Sequence, residues 1–230
     1  MITHPFIGVF FLGAREQTRY NNSMSRVIIF DFDGPIVDSF LACFEMGEFR
    51  SPGITLEEYR MMFTGNIFDE FEKRQQGKPV IEPPDFDYGK ESQKRKLPLT
   101  PVQGIPELLK NLHTKAHILA IISSSNSERI REYLRTHHIE EFFTDVLGAD
   151  VEKSKVRKFE MVAQKYNVSP DQMIFVTDTL GDIKEAAEHN IPTIGVTWGF
   201  HDKTLLRQGN PHAIVSTPKA LEAAIENLLV

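Results

Sequence analysis

Apolar residues along this chain follow two rhythms. Val27-Ile-Ile-Phe30 is a short unbroken apolar run rich in β-branched residues. It meets Asp33-Gly34 and then Pro35, which lacks an N–H and fixes φ, so it reads as a buried strand that stops in a turn. From Phe40 the rhythm changes. Phe40, Leu41, Phe44 and Phe49, then Tyr59, Met62, Phe63, Phe68 and Phe71, recur at roughly helical spacing, interrupted by Gly53, Gly65 and Gly77. This pattern predicts several short helices through residue 76. Residues 78–89, with Pro79, Pro83 and Pro84, read as a loop, and Lys94-Arg95-Lys96 as a solvated hinge face. The stretch 40–97 is too long for a plain connection and is expected to be a small helical cap.

Beyond Pro98 and Pro101 the chain alternates. Helical patterns at Ile105–His113, from Ser127, over 155–166, at Ile183–His189 and over 218–229 alternate with apolar runs at His117–Ile122, Phe143–Leu147, Met173–Val176, Thr193–Thr197 and Ala213–Val215. Strand–helix alternation implies a parallel sheet with helices on both faces. The expected class is therefore α/β, a Rossmann-like sheet with a helical cap inserted after the first core strand. The domain reading is 1–23 extension, 24–39 and 98–230 core, 40–97 cap.

Composition narrows the function. The 230 residues, 41% of them hydrophobic, fit one large domain with a small insert. A net charge of −6 argues against nucleic acid or an anionic membrane as partner. Cys43 is the sole cysteine, so no internal disulfide is possible; it reads as a small buried apolar residue, and a cytoplasmic, reducing setting fits. Phe6–Leu12 is too short to span a bilayer, and no Lys or Arg precedes it. Residues 1–23 read as an extension dispensable for chemistry or, alternatively, as a weak interfacial anchor.

Three strands end in polar clusters: Asp31 and Asp33 first, Ser123 to Asn126 second, Asp178 and Asp182 third. In a parallel sheet these ends open on one edge, where ligands bind. Each cluster alone has a plain reading as a turn or a helix cap. Together, with Lys153 and Lys155 before the helix feeding the third strand, they suggest a hard divalent cation and a phosphate.

In these motifs the chain resembles the haloacid dehalogenase-like hydrolase superfamily, over residues 27–229. Asp31-Phe-Asp-Gly-Pro-Ile-Val-Asp-Ser39 is similar to its first motif, Ile121-Ile-Ser123 to the second, Lys153 or Lys155 to the third, and Asp178-Thr-Leu-Gly-Asp182 to the acidic fourth. The phosphoglycolate phosphatase-like branch is the nearest resemblance. The resemblance implies a Mg²⁺-dependent phosphatase of a small phosphorylated metabolite, working through an aspartyl-phosphate. It makes Asp31 the nucleophile and Asp33 the general acid and base. Asp31, Asp178 and the Asp33 carbonyl become the metal ligands, Ser123 and a lysine the phosphoryl contacts, and Asp182 a support. Lys155 opens the apolar helix more naturally than Lys153, and both spacings to Asp178, 23 and 25 residues, suit related families.

Pro35 stands where the family most often has threonine, and Thr177 where it has glycine. Asn126 and Arg129 are weaker phosphate candidates, better read as a helix cap and a surface charge, and His201 reads as a loop histidine. A sugar-phosphate mutase on the same core and a catalytically silent binding protein remain open. A dehalogenase is disfavoured by Asp33 and Asp178.

Overall fold

The computed structural model of this chain describes residues 26–75 and 86–229. Its centre is a parallel six-stranded sheet in the order β3-β2-β1-β4-β5-β6. The strands are β1 (Val27–Phe30), β2 (Ile118–Ile122), β3 (Asp145–Leu147), β4 (Met173–Thr177), β5 (Thr193–Val196) and β6 (Ala213–Val215). β1 lies between β2 and β4, with Phe30 opposite Ile121 on one side and Val176 on the other. Strand order reverses there, the place where an open α/β sheet leaves a crevice.

Period-two alternation divides the strand side chains between two cores. Ile28, Phe30, Leu119, Ile121, Ile174 and Val176 face α5 (Ile105–Thr114), α6 (Ser127–Thr136) and α10 (Pro218–Leu228). Val27, Ile29, Ala120, Ile122 and Phe175 face α7 (Lys155–Tyr166) and α8 (Leu180–Ala187). Both faces are covered, so the central strands are buried at every position and apolar in all but Thr177, the last residue of β4. That is why they read as unbroken runs rather than alternating ones.

Among the described residues, four α-helices lie between β1 and α5: α1 (Phe40–Arg50), α2 (Leu56–Met61), α3 (Ile67–Gln75) and α4 (Tyr88–Lys96). The chain leaves and re-enters the sheet side by side, with Val37 bridged to Pro101 and the Val102 N–H donating to the Ile36 carbonyl at 2.9 Å. These helices bury their own cluster of Phe40, Ile54, Tyr59, Met62 and Phe71. The loop after β5 supplies Phe200 to that cluster, edge-on to Phe40 and Phe63 at centroid distances of 5.0 and 4.8 Å. His201 is a second strut. Its Nδ1 accepts from the Leu180 N–H at 2.9 Å, so its Nε2 carries the proton and donates to the Arg60 carbonyl, also at 2.9 Å.

Three local expectations change. The solvated face at 94–96 is the last turn of α4, and Lys96 is buried. The loop over 78–89 ends earlier, since Asp87 caps α4 and Tyr88 and Gly89 are helical. α4 has no apolar stripe, so periodicity gave no sign of it. α8 starts at Leu180, because the Thr179 hydroxyl accepts from the Asp182 N–H and begins the helix a turn sooner. A further short helix, α9 (Lys203–Arg207), is capped by Asp202 and is too short to show a period. Residues 1–25 and 76–85, with the extension and most of the proline-bearing loop, lie outside the described residues.

Phe200 is 3% exposed and belongs to two parts of the chain at once. Phe200→Ala is therefore expected to cost about 3–5 kcal/mol and to expose residues 40–75 to protease in the otherwise folded protein. Denaturant unfolding with limited proteolysis checks this; unchanged cleavage within 40–75 would refute the bridging role.

Candidate active site

The site lies beyond the ends of β2, β1 and β4. Backbone pairing carries Asp31 one residue past β1, where its N–H still donates to the Val176 carbonyl at 2.9 Å. Its carboxylate is buried and held on both oxygens: Oδ1 accepts from the Phe32 N–H at 2.7 Å, and Oδ2 from Lys155 Nζ at 2.7 Å. Lys155 opens α7, 4% exposed, and its ammonium also lies 2.5 Å from Asp182 Oδ2. Asp182 takes a further bond from the Thr177 hydroxyl at 2.6 Å. Thr177, where the family favours glycine, thus orients the carboxylate that shares the lysine. Lys153 is exposed, its ammonium 5.7 Å from the Phe68 ring, so the structure brings Lys155 and not Lys153 to Asp31.

Asp178 is fully buried. Its Oδ2 accepts from the Phe200 N–H at 2.7 Å, while its Oδ1 has no hydrogen-bond partner among the described residues. Gly34 and Gly199 form its cradle: a Cβ would stand 1.9 Å from Asp178 Oδ2 at Gly34 and 2.1 Å at Gly199. Gly34 also has φ +95°, a value side chains resist. Pro35 fits this turn, and its carbonyl accepts from the Trp198 indole at 3.3 Å.

Burial pushes the Asp31 carboxyl up to about 7, with Lys155 opposing and Asp182 adding to the rise. Burial, followed by the charge of Asp31, pushes Asp178 well above the carboxylate range. Burial acts the same way on Asp182, but Lys155 and the bonds from Asp31, Lys155 and Thr177 outweigh it and hold that carboxyl low. Among the described residues the one ammonium directly paired with this group of carboxyls is that of Lys155, which reaches Asp31 and Asp182 and not Asp178. Three carboxylates against one paired cation, with Asp178 Oδ1 orphaned, is a donor set that fits a hard cation. No group of three or more His, Cys, Asp or Glu among the described residues could by itself hold a metal. Two carboxylates and a backbone carbonyl leave the remaining ligands to water, as Mg²⁺ prefers.

Asp33 is the residue on which separate segments meet. Its Oδ1 accepts from the Ser39 hydroxyl at 2.6 Å and its Oδ2 from the Ser125 hydroxyl at 2.6 Å. Lys96 Nζ lies 2.7 Å from Oδ1 and 2.9 Å from Oδ2. Burial would raise this carboxyl, but Lys96 and the two hydroxyls outweigh it and hold it below its ordinary value. Cys43 is half-buried beside it, its Sγ 3.7 Å from Asp33 Oδ1, so the cysteine lines the site while also packing against the helices' own apolar cluster. Burial pushes the Cys43 thiol up to about 12, which keeps it unreactive. Lys96 escaped the sequence reading because it sits in a run of three basic residues, and only the position of Asp33 distinguishes one from the others.

Asp31, Asp33, Cys43, Lys96, Lys155 and Asp182 line one cavity of about 310 Å³ between the strand ends and the helices over them, and Asp178 lies behind that lining. Ser123, 1% exposed, forms part of its floor, and its hydroxyl oxygen accepts from the Ser125 N–H at 3.1 Å. Asn126 caps α6, accepting from the N–H groups of Glu128 and Arg129. Arg129 lines the cavity and reaches Asp87 at 3.4 Å. Arg50, also in the lining, stacks on the Tyr88 ring at 3.8 Å, with no carboxylate at ion-pair distance among the described residues.

The sequence pattern of the haloacid dehalogenase-like hydrolases matches residues 28–196. A phosphoglycolate phosphatase of Vibrio vulnificus is 25% identical over 213 residues, covering 84% of this chain and 92% of that protein. One of Synechococcus elongatus is 26% identical over 126 residues, covering 55% of this chain and 59% of that protein, so this match spans little more than half of that relative. Among solved structures, a haloacid dehalogenase-like hydrolase of Bacteroides fragilis superposes with a TM-score of 0.71 at 20% identity, covering 86% of this chain and 99% of that one. The structural likeness is one of fold.

The side chains of Lys96 and Asp33 are 9% and 16% exposed. Lys96→Met is therefore expected to destabilise by about 3 kcal/mol, the lower end for removing one partner of a buried pair. Urea unfolding should show a lower midpoint at unchanged slope; a shift equivalent to under about 0.5 kcal/mol, as at an exposed pair, would contradict the assignment.

Proposed function

The chain belongs to the haloacid dehalogenase-like hydrolase family, and we propose that within it the site is a Mg²⁺-dependent phosphatase that passes the phosphoryl group of a small phosphorylated metabolite to Asp31 and then to water. The observation that carries this reading is the charge imbalance around Asp31: a buried carboxylate at a strand end, bonded to one shared lysine and lining a cavity. An anionic nucleophile repels an anionic phosphate. Attack is feasible only where positive charge offsets both.

Asp31 is the nucleophile. One donor on each of its oxygens fixes the carboxylate and leaves lone pairs for attack on phosphorus. The ester oxygen leaves, and the phosphoryl group remains on Asp31. Asp33 gives a proton to the leaving oxygen and takes one from the water that then releases phosphate. Lys96, Ser39 and Ser125 hold it in the second of these forms, ionised. Lys155 offsets charge on Asp31 and the phosphoryl group, and Ser123 donates to a phosphoryl oxygen. Asp31, Asp178 and the Asp33 carbonyl would hold Mg²⁺, which when bound supplies the charge that lets a carboxylate approach a phosphate. Asp182 supports the site by keeping Lys155 in place.

Residues 40–97 serve as the cap of a core formed by 24–39 and 98–230, and the cap excludes water around a compact substrate. The relatives named phosphoglycolate phosphatase favour a small phosphorylated hydroxy acid. Arg50, stacked on Tyr88 without a carboxylate partner among the described residues, suits the second anionic group of such a substrate. No helix among the described residues is long and apolar enough to cross a membrane, in keeping with a substrate taken from solution in the cytoplasm.

The test is steady-state phosphate release from a panel of phosphorylated metabolites, with Mg²⁺ and with chelator. Turnover should vanish with chelator and fall by about 10⁴-fold or more in Asp31→Asn, the scale of losing a nucleophile. A folded wild type that labels Asp31 with phosphate but releases none would shift the reading to the mutase. One that does neither would leave a binding protein.

A further inference from the structure

Lys158 lies one turn beyond Lys155 on α7 and is completely buried. Its ammonium donates to the Ser123 carbonyl at 2.6 Å, its one hydrogen-bond partner among the described residues. An ammonium carries three donors, and burying it without a carboxylate partner is costly. An apolar residue would satisfy this helix position better, so packing does not account for a lysine here.

The peptide it touches does. No peptide in the described chain is cis, and in a planar trans peptide the C=O and the following N–H point in opposite directions. The Ser123 carbonyl points to Lys158, which is no part of the cavity wall, whereas Ser123 and Ser124 both line the cavity. The Ser124 N–H therefore points toward the cavity, and it donates to no backbone or side-chain acceptor among the described residues. The N–H groups on either side of it are tied down. The Ser123 N–H donates to the Leu147 carbonyl and the Ser125 N–H to the Ser123 hydroxyl, and the Ala149 N–H holds the Ser125 carbonyl. The Ser124 and Asn126 N–H groups are left over among the described residues, and that of Ser124 is the one that Lys158 aims.

We propose that Lys158 is a positioning residue that locks the Ser123–Ser124 peptide so that the Ser124 N–H becomes a fixed donor to the phosphoryl group. The proposal rests on reading the cavity as a phosphoryl site, whose backbone donor the family resemblance already implies, and adds the side chain that orients that donor. The buried charge also strengthens that donor, because an ammonium on the carbonyl polarises the whole amide. Burial, followed by the charge of Lys155, lowers the Lys158 ammonium to about 8. Asp31, Asp182 and Glu185 face it from β1 and α8, and Asp150 and Glu152 from the turn before α7.

The experiment is a titration of ¹⁵N-labelled protein, in Mg²⁺, with inorganic phosphate. The Ser124 amide should shift in the wild type in step with binding, and the shift should shrink as pH rises through about 8 and Lys158 loses its charge. In Lys158→Met, a side chain of similar length with no donor, the Ser124 shift should disappear and phosphate should bind about ten-fold more weakly. Lys158→Arg, which keeps a charged donor, should recover part of the affinity. If phosphate binds the wild type while the Ser124 amide stays still, the proposal is overturned and the phosphatase reading stands. The same holds if Lys158→Met shows the wild-type Ser124 shift and affinity. If millimolar phosphate does not bind the wild type, the phosphoryl site itself is refuted and the proposal with it. Should Lys158→Met not fold, the pH series on the wild type decides alone: a Ser124 shift that is constant from pH 7 to 9 overturns the role of the lysine charge.

Discussion

Everything at the strand ends depends on one ammonium placed between two buried carboxylates. Lys155 Nζ stands 2.7 Å from Asp31 and 2.5 Å from Asp182, with all three side chains at 10% exposure or less. Distance alone does not set the worth of such a contact. Lys73 and Glu70 are equally close at 2.6 Å, but their side chains are 65% and 32% exposed, and pairs of that kind contribute at most about 1 kcal/mol. Removing a partner from a buried pair costs about 3–5 kcal/mol, because the remaining charge is stranded. The lysine opposes the rise that burial forces on the Asp31 carboxyl. It pairs with two of the three carboxyls, and Asp31 and Asp178 still sit above their usual range, which a further cation would reverse.

A second constraint joins the chemistry to the helices above it. Asp33 receives Ser39 from the limb of chain leaving the sheet, Lys96 from the limb returning to it, and Ser125 from the turn after β2. Displacing either limb alters the surroundings of this carboxylate. On the far side Phe200 and His201 tie the loop after β5 to the same helices, through ring packing and the Arg60 carbonyl. The helices over the cavity are thus fastened at opposite edges, and each fastening lies within a residue or two of a group that the site uses.

The fold was legible wherever one physical signal dominated. Val27–Phe30 and Met173–Val176 are buried on both faces, so their strands stand out as apolar runs whatever their neighbours. α7 shows its apolar face at Phe159 and Val162, and its start at Ser154 and Lys155 matches the expected boundary. α4 was not legible. Its sequence Tyr88-Gly-Lys-Glu-Ser-Gln-Lys-Arg-Lys96 has almost no apolar content, and its buried residue is a lysine facing a carboxylate. Periodicity detects helices that pack on oil and misses one that packs on charge.

The candidate site divides along the same line. Local sequence determined that Asp31 and Asp33 follow a buried strand, that Ser123 follows a second and that Asp178 follows a third, because strand burial and turn chemistry act over a few residues. Which lysine reaches Asp31, why Lys96 and Lys158 are buried, and where the Ser124 N–H points were decided only by tertiary structure. Each depends on two segments far apart in the chain meeting within 3 Å: Lys155 with Asp31, Lys96 with Asp33, Lys158 with the Ser123 carbonyl. A lysine's residue type is the same in solvent and beneath a phosphate site, and its role is set by the partner that folding places beside it.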